Sequence, residues 1–312
     1  MKIIEQNRIL SKSTAIKIQI TLIIVLLFFL TPSFSQAFGG DEIKQMLSGK
    51  YFYEWGMSIF RGFMNAANSI INTDLTSHPI YSMAETMRNT LMLTATVLAN
   101  LFLYISIIKE NVDLRHNFTL EIFVLYMIKF IFINFVLLNL TDIISWFCDL
   151  SGAFVRTITG DVDLSKLYNT DWDETFEDID WEELLVTFFM GLIYCICCVI
   201  CGILILWSLY SVYFKIYFYI VISPLALATI TGTQGISQSA VSWIKTFLCA
   251  ICETGGMMVV LQFGSVLIQG MAFDFGNIRS TWPTALQAII GLVIVTGSVK
   301  GVDAMIRRAF GF

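Results

Sequence analysis

Charged side chains set inside long apolar runs are the residues of this chain whose type and position could do chemistry. Lys129 lies towards the middle of the run Phe118–Trp146, and Lys215 is the only formal charge between Leu184 and Ile230. Glu253 lies within Ile244–Gly270. An ionisable group at the centre of a membrane costs about 3 kcal/mol even on lenient insertion scales, so Lys129 and Glu253 should face a helical interior, a partner subunit or water. Pairing of Lys129 with Glu253, or a hydrated path lined by both, is the functional expectation. The structural alternative is a Lys129 that snorkels to a nearby interface. Gly255-Gly256, directly after Glu253, permit close helix approach or local unwinding. Gly297 and Gly301 form a GxxxG within a span, a spacing compatible with helix association.

Sulfur and imidazole offer less. Of the seven cysteines, six lie in apolar runs and Cys148 lies at the end of another, which reads as small apolar packing. Cys249-Ala250-Ile251-Cys252 has CxxC spacing but no surrounding βαβ pattern. Cys195, Cys198 and Cys201 share a helix face that a soft metal could use. The two histidines, His78 and His116, fall in separate loops. There is no GxxxxGK[ST] to cradle a nucleotide phosphate, no HExxH and no GxSxG. The expectation is a chain with no enzymatic activity, no cofactor and no metal.

The elements that carry these residues are dictated by solvent. The chain is 56% hydrophobic and 14% charged, with a mean hydropathy of +0.74. Soluble domains carry about 25% charged residues. Only four prolines occur and no strand alternation is visible, so an all-α polytopic transmembrane bundle is expected rather than a barrel. Residues 1–37 read as a signal peptide: Lys2, Arg8, Lys12 and Lys17 precede an apolar core from Ile18 to Leu30, and Ser35 and Ala37 suit the cleavage site. An uncleaved anchor is the alternative, and either places residue 38 outside the cytoplasm. Residues 38–85 are expected to form an extracytoplasmic region with an amphipathic helix that lies on the outer surface of the membrane or packs on the bundle, the alternative being a soluble-side helix that caps the bundle. Its apolar residues Phe52, Trp55, Ile59, Phe63, Ala66 and Ile70 recur at the spacing of one helix face.

Residues 86–146 hold two spans and residues 147–183 an acidic outer loop. A calcium loop would need a Gly that Asp161-Val162-Asp163-Leu164-Ser165 lacks, so the loop reads as a solvated linker with Trp172 and Trp181 at the interface. Residues 184–312 hold three further spans, for five in the mature chain. Leu184–Ile230 is too long for one crossing of a hydrocarbon core about 30 Å thick. One crossing to about Tyr210 is therefore expected, followed by an interfacial helix that contains Lys215 and breaks at Ser223-Pro224. Basic residues in the short loops put Lys109, Arg115, Lys215, Lys245 and the Arg307-Arg308 tail in the cytoplasm.

Tyr213-Phe214-Lys215-Ile216-Tyr217 followed by Ile222-Ser223-Pro224-Leu225-Ala226-Leu227-Ala228-Thr229-Ile230 resembles the TrbL-type polytopic membrane proteins of bacterial type IV secretion and conjugation systems. The five spans, the outer loop after the second and the closing Lys300–Arg308 stretch are similar to that family too, over roughly residues 80–312. The long signal peptide departs from it. The resemblance implies a non-enzymatic subunit of a translocation machine in the bacterial cytoplasmic (inner) membrane, working as a homo-oligomer. Its implied partners are other secretion subunits and cytoplasmic ATPases, and its cargo single-stranded DNA with its relaxase, or protein. No basic patch for phosphate neutralisation is visible. Two other classes stay open. One is a secondary transporter using Lys129, Lys215 and Glu253, although no internal repeat divides the chain. The other is an intramembrane enzyme using Cys249 and Cys252.

Overall fold

The computed structural model describes residues 48–113, 120–160, 164, 172, 176, 184–232, 234–270 and 281–311. The expected signal peptide, Trp181, most of the acidic loop, His116 and the segment 271–280 lie outside the described residues. Among the described residues the chain forms seven α-helices and two short 3-10 turns. These are α1 (Lys50–Asn72), α2 (Pro79–Asp113), α3 (Leu120–Leu138), α4 (Leu140–Thr159), α5 (Leu184–Ala228), α6 (Gln234–Gly270) and α7 (Thr281–Ala309). Four of them, α2, α5, α6 and α7, are long and apolar enough to cross a membrane. Helices α3 and α4, expected to hold one span, are bent by 65° at Asn139 and count as a fifth only if taken together. The Asn139 side-chain amide and backbone N–H both donate to the Phe135 carbonyl, at 2.8 and 3.1 Å. A short polar side chain competing for backbone acceptors in this way is a recurrent origin of bends.

Helix α5 is the longest element, 45 residues, or about 68 Å at 1.5 Å per residue. The expected break at Ser223-Pro224 does not occur: the helix runs through Pro224 and ends at Ala228, where the 3-10 turn Thr229–Thr231 takes over. The residue that makes this possible is Ser223, whose hydroxyl donates to the Ile220 carbonyl that the proline leaves without a helical donor.

The described residues divide into two compact units. The first draws on residues 48–63, 172, 176, 184–203, 264–270 and 281–294. In it α1 lies lengthwise and parallel on α5, with contacts that advance together along both helices. Gly49 meets Phe188, Gly191 meets Tyr53, Gly56 meets Cys195 and Gly202 meets Phe63. Gly49 has φ +72°, a left-handed conformation that side chains resist, and starts α1 by accepting from the Phe52 N–H. Tyr53 is fully buried, stacks on Tyr194 at 5.4 Å and donates to the Thr187 carbonyl at 2.9 Å. Trp172, expected at the interface, is instead buried against Tyr53, Phe176 and Tyr194.

The packed stripe of α1 is Tyr53, Gly56, Met57, Phe60, Met64, Ala67 and Ile71. The expected stripe, Phe52, Trp55, Ile59, Phe63, Ala66 and Ile70, flanks it: Trp55 is exposed and the others are half-buried. The two rows form one continuous apolar surface. The row with Gly56 and Ala67 wins the contact because small side chains let the helix axes approach more closely.

The second unit draws on residues 64–113, 120–160, 164, 204–232, 234–263 and 295–311. The 3-10 turn after α5 docks on α2: Thr231 Oγ1 donates to the Ala99 carbonyl at 2.8 Å, and Ser106 Oγ donates to the Thr231 carbonyl at 2.9 Å. Helices α2 and α3 turn Leu93, Val97, Leu101, Ile128, Ile131 and Phe135 outward. That is the surface a hydrocarbon solvent accepts.

Candidate functional site: an ion network joining three spans

The aromatic pentapeptide Tyr213–Tyr217 presents two faces of α5. Tyr213 and Tyr217, one turn apart, share a face, and their hydroxyls donate to the Ile70 and Leu75 carbonyls at 2.9 and 3.1 Å. These bonds fasten α5 to the end of α1 and to the turn that follows it. Lys215, two residues from each tyrosine, points to the other side of the helix. Phe214 and Phe218 are exposed.

Lys215 Nζ lies 3.3 Å from both Oε1 and Oε2 of Glu253 on α6. It is also 3.7 Å from Asp303 Oδ1 on α7. Asp303 in turn accepts from Arg307 Nε at 2.9 Å, one turn further along α7. Two cations and two carboxylates therefore neutralise one another across α5, α6 and α7. The Glu253 side chain is only 4% exposed, against 34% for Lys215 and 36% for Asp303. A carboxylate withdrawn that far from solvent is tolerable only with a cation beside it.

The glycines beside Glu253 set the distances. A Cβ on Gly255 would stand 2.4 Å from Phe154 Cε1 on α4, and one on Gly256 would stand 2.8 Å from Val302 Cγ1 on α7. Helix α6 is thus approached on two sides where its acid sits, and it stays helical through both positions. Trp243 fixes the start of α6 on α5 by donating from Nε1 to the Tyr219 carbonyl at 3.2 Å.

The other sequence candidates lie elsewhere. Lys129 stands over the Tyr126 ring, 5.1 Å from its centroid, and the cation that faces Glu253 is Lys215. The GxxxG of α7 meets no neighbouring helix among the described residues: nothing lies within 4 Å of a Cβ on Gly297, and Gly301 would touch only Met305 of its own helix. Cys195, Cys198 and Cys201 are buried in the packed face of α5, and Cys249 is buried in α6.

Three paired charges were not expected in these contacts. Asp303 and Arg307 complete the network, and their i,i+4 acid–base spacing near the end of α7 was the available signal. Arg88 on α2 is fully buried and donates to Thr141 Oγ1 on α4 at 2.9 Å and to Glu85 Oε1 at 3.2 Å. No spacing links Arg88 to Thr141; only the bend at Asn139 delivers the threonine.

Fold and network together define a polytopic α-helical membrane protein in which Lys215, Glu253, Asp303 and Arg307 pair across three apolar helices. Set against protein-family models, curated proteins and solved structures, the chain matches none.

Proposed function

We infer that this protein is a channel or scaffold subunit of a type IV secretion or conjugative transfer apparatus, acting as an oligomer in the bacterial cytoplasmic membrane. In this reading it performs no chemistry of its own. Cytoplasmic ATPases supply the energy, and single-stranded DNA with its relaxase, or protein, is the cargo. The mature N-terminus lies outside and the Arg307-Arg308 tail inside, with the Lys215 portion of α5 at the cytoplasmic interface.

The observation that supports it is the self-neutralised network of Lys215, Glu253, Asp303 and Arg307. It ties three apolar helices into one body, as a scaffold needs. Its Lys215 lies in the motif on which the resemblance to the TrbL-type proteins rests, and its Asp303 and Arg307 lie in the similar closing stretch. The test is deletion of the gene in a donor cell. Conjugative or effector transfer should be lost and restored by the intact gene. Transfer at the parental level without the gene would refute the assignment.

A secondary transporter is the second reading, and the buried Glu253 paired with a half-exposed Lys215 is the feature in its favour. A purified monomer that moves a solute across liposomes unaided would decide for it.

A further inference from the structure

Within the first unit, the packing of α1 on α5 brings a polar surface to the depth of the most apolar part of the chain. Gly49, Gly56 and Phe63 of α1 meet Phe188, Cys195 and Gly202 of α5, so residues 49–63 stand level with 188–202. At that level α5 turns Phe189, Ile193, Ile196 and Ile200 outward, a face suited to lipid tails. Helix α1 turns outward a different surface. Glu54, which lies 3.8 Å from Lys50 one turn back, Ser58, Gly62 and, just past the end of the first unit, Asn65 are all exposed at three- and four-residue spacing, beside the exposed rings of Tyr51 and Trp55. Helix α1 is also absent from the helices apolar enough to span a membrane. If the first half of α5 crosses the bilayer, α1 is carried into the membrane beside it with its polar stripe unburied. The Lys50–Glu54 ion pair and an amide are strongly unfavourable facing hydrocarbon, whereas the same groups facing water are not.

We propose that the polar stripe of α1, running through Glu54, Ser58, Gly62 and Asn65, lines a water-filled passage at the depth of the membrane. The helix pair is then two-sided, with α5 facing lipid and α1 facing water. The proposal rests on the channel reading only in requiring that α5 crosses the bilayer. It adds which surface of the chain is wet.

The test is thiol accessibility in intact membranes with a membrane-impermeant maleimide, read above the labelling of the native cysteines in the unaltered chain. Ser58→Cys and Gly62→Cys should label about tenfold or more faster than Phe189→Cys and Ile200→Cys, because only a hydrated thiol ionises and reacts readily. Equal labelling of the four after solubilisation and unfolding shows that each thiol is present. Resistance of Ser58→Cys and Gly62→Cys in the membrane overturns the proposal. So does equal labelling of Phe189→Cys and Ile200→Cys, which would put this part of α5 outside the bilayer. Accessibility reports only the solvent at α1, while gene deletion reports only participation in transfer, so either result can fail without the other.

Discussion

The Ser223 hydroxyl donates to the Ile220 carbonyl at 2.7 Å. Ile220 lies four residues before Pro224, so its carbonyl is the acceptor that a proline nitrogen cannot serve. Serine and proline act as a unit in which one residue opens a helical hydrogen bond and the other closes it. Both conditions for a large effect are met, since Ser223 is fully buried and the helix is apolar around it.

Ser223→Ala should therefore destabilise the protein by about 1–3 kcal/mol, the cost of stranding a buried acceptor. Pro224→Ala supplies a backbone donor to the same carbonyl, so Ser223→Ala/Pro224→Ala should recover most of the loss. Thermal unfolding in mild detergent measures the cycle. Equal losses from Ser223→Ala with and without the proline would show that the two residues are uncoupled.

The unequal exposure of the Lys215–Glu253 pair fixes an order of severity. Lys215→Met leaves the 4% exposed Glu253 carboxylate without its nearest cation, at a cost of about 3 kcal/mol. Glu253→Gln leaves a partly solvated Lys215 that still has Asp303 at 3.7 Å, and should cost nearer about 1 kcal/mol. Lys215→Met/Glu253→Leu removes both charges and leaves Asp303 paired with Arg307, so it should be more stable than Lys215→Met alone. The readout is again the unfolding midpoint, and the reverse order would reject the burial argument.

Glycine substitutions should separate packed helix faces from open ones. Gly255→Ala and Gly256→Ala place a methyl at 2.4 Å from Phe154 and 2.8 Å from Val302, an overpacking worth about 1–3 kcal/mol. Gly56→Ala meets the Cys195 backbone at 2.9 Å and should be damaging for the same reason. Gly62→Ala and Gly297→Ala meet nothing within 4 Å. Both should be neutral or stabilising, because alanine favours helix over glycine by about 1 kcal/mol. Unfolding midpoints of the five variants in one detergent make the comparison.

The sequence pointed to part of the site and misassigned its partner. Glu253 stood out because an acid inside an apolar run needs an explanation, and Lys215 because it is the lone charge in the longest run. Which lysine meets the acid was not legible. Lys129 and Lys215 are equivalent as chemistry, and only the helix packing that puts α5 beside α6 chooses Lys215. Helix α1 shows the same limit. Its amphipathic character is plain in the sequence, but two adjacent apolar rows compete. The choice between them depends on Gly56 meeting a backbone that lies far along the chain.

By itself the sequence determined that the chain is helical and apolar, but not where each helix bends or ends. Long uncharged runs can bury their backbone polar groups in a bilayer only as helices, and that argument needs no partner in space. Tertiary structure alone decided the rest: Lys215 faces Glu253, the Gly56 row of α1 meets α5, and the GxxxG of α7 is left open. Each of these turns on whether one particular atom has a neighbour. Periodicity reports which side of a helix an atom is on, but not what stands opposite it.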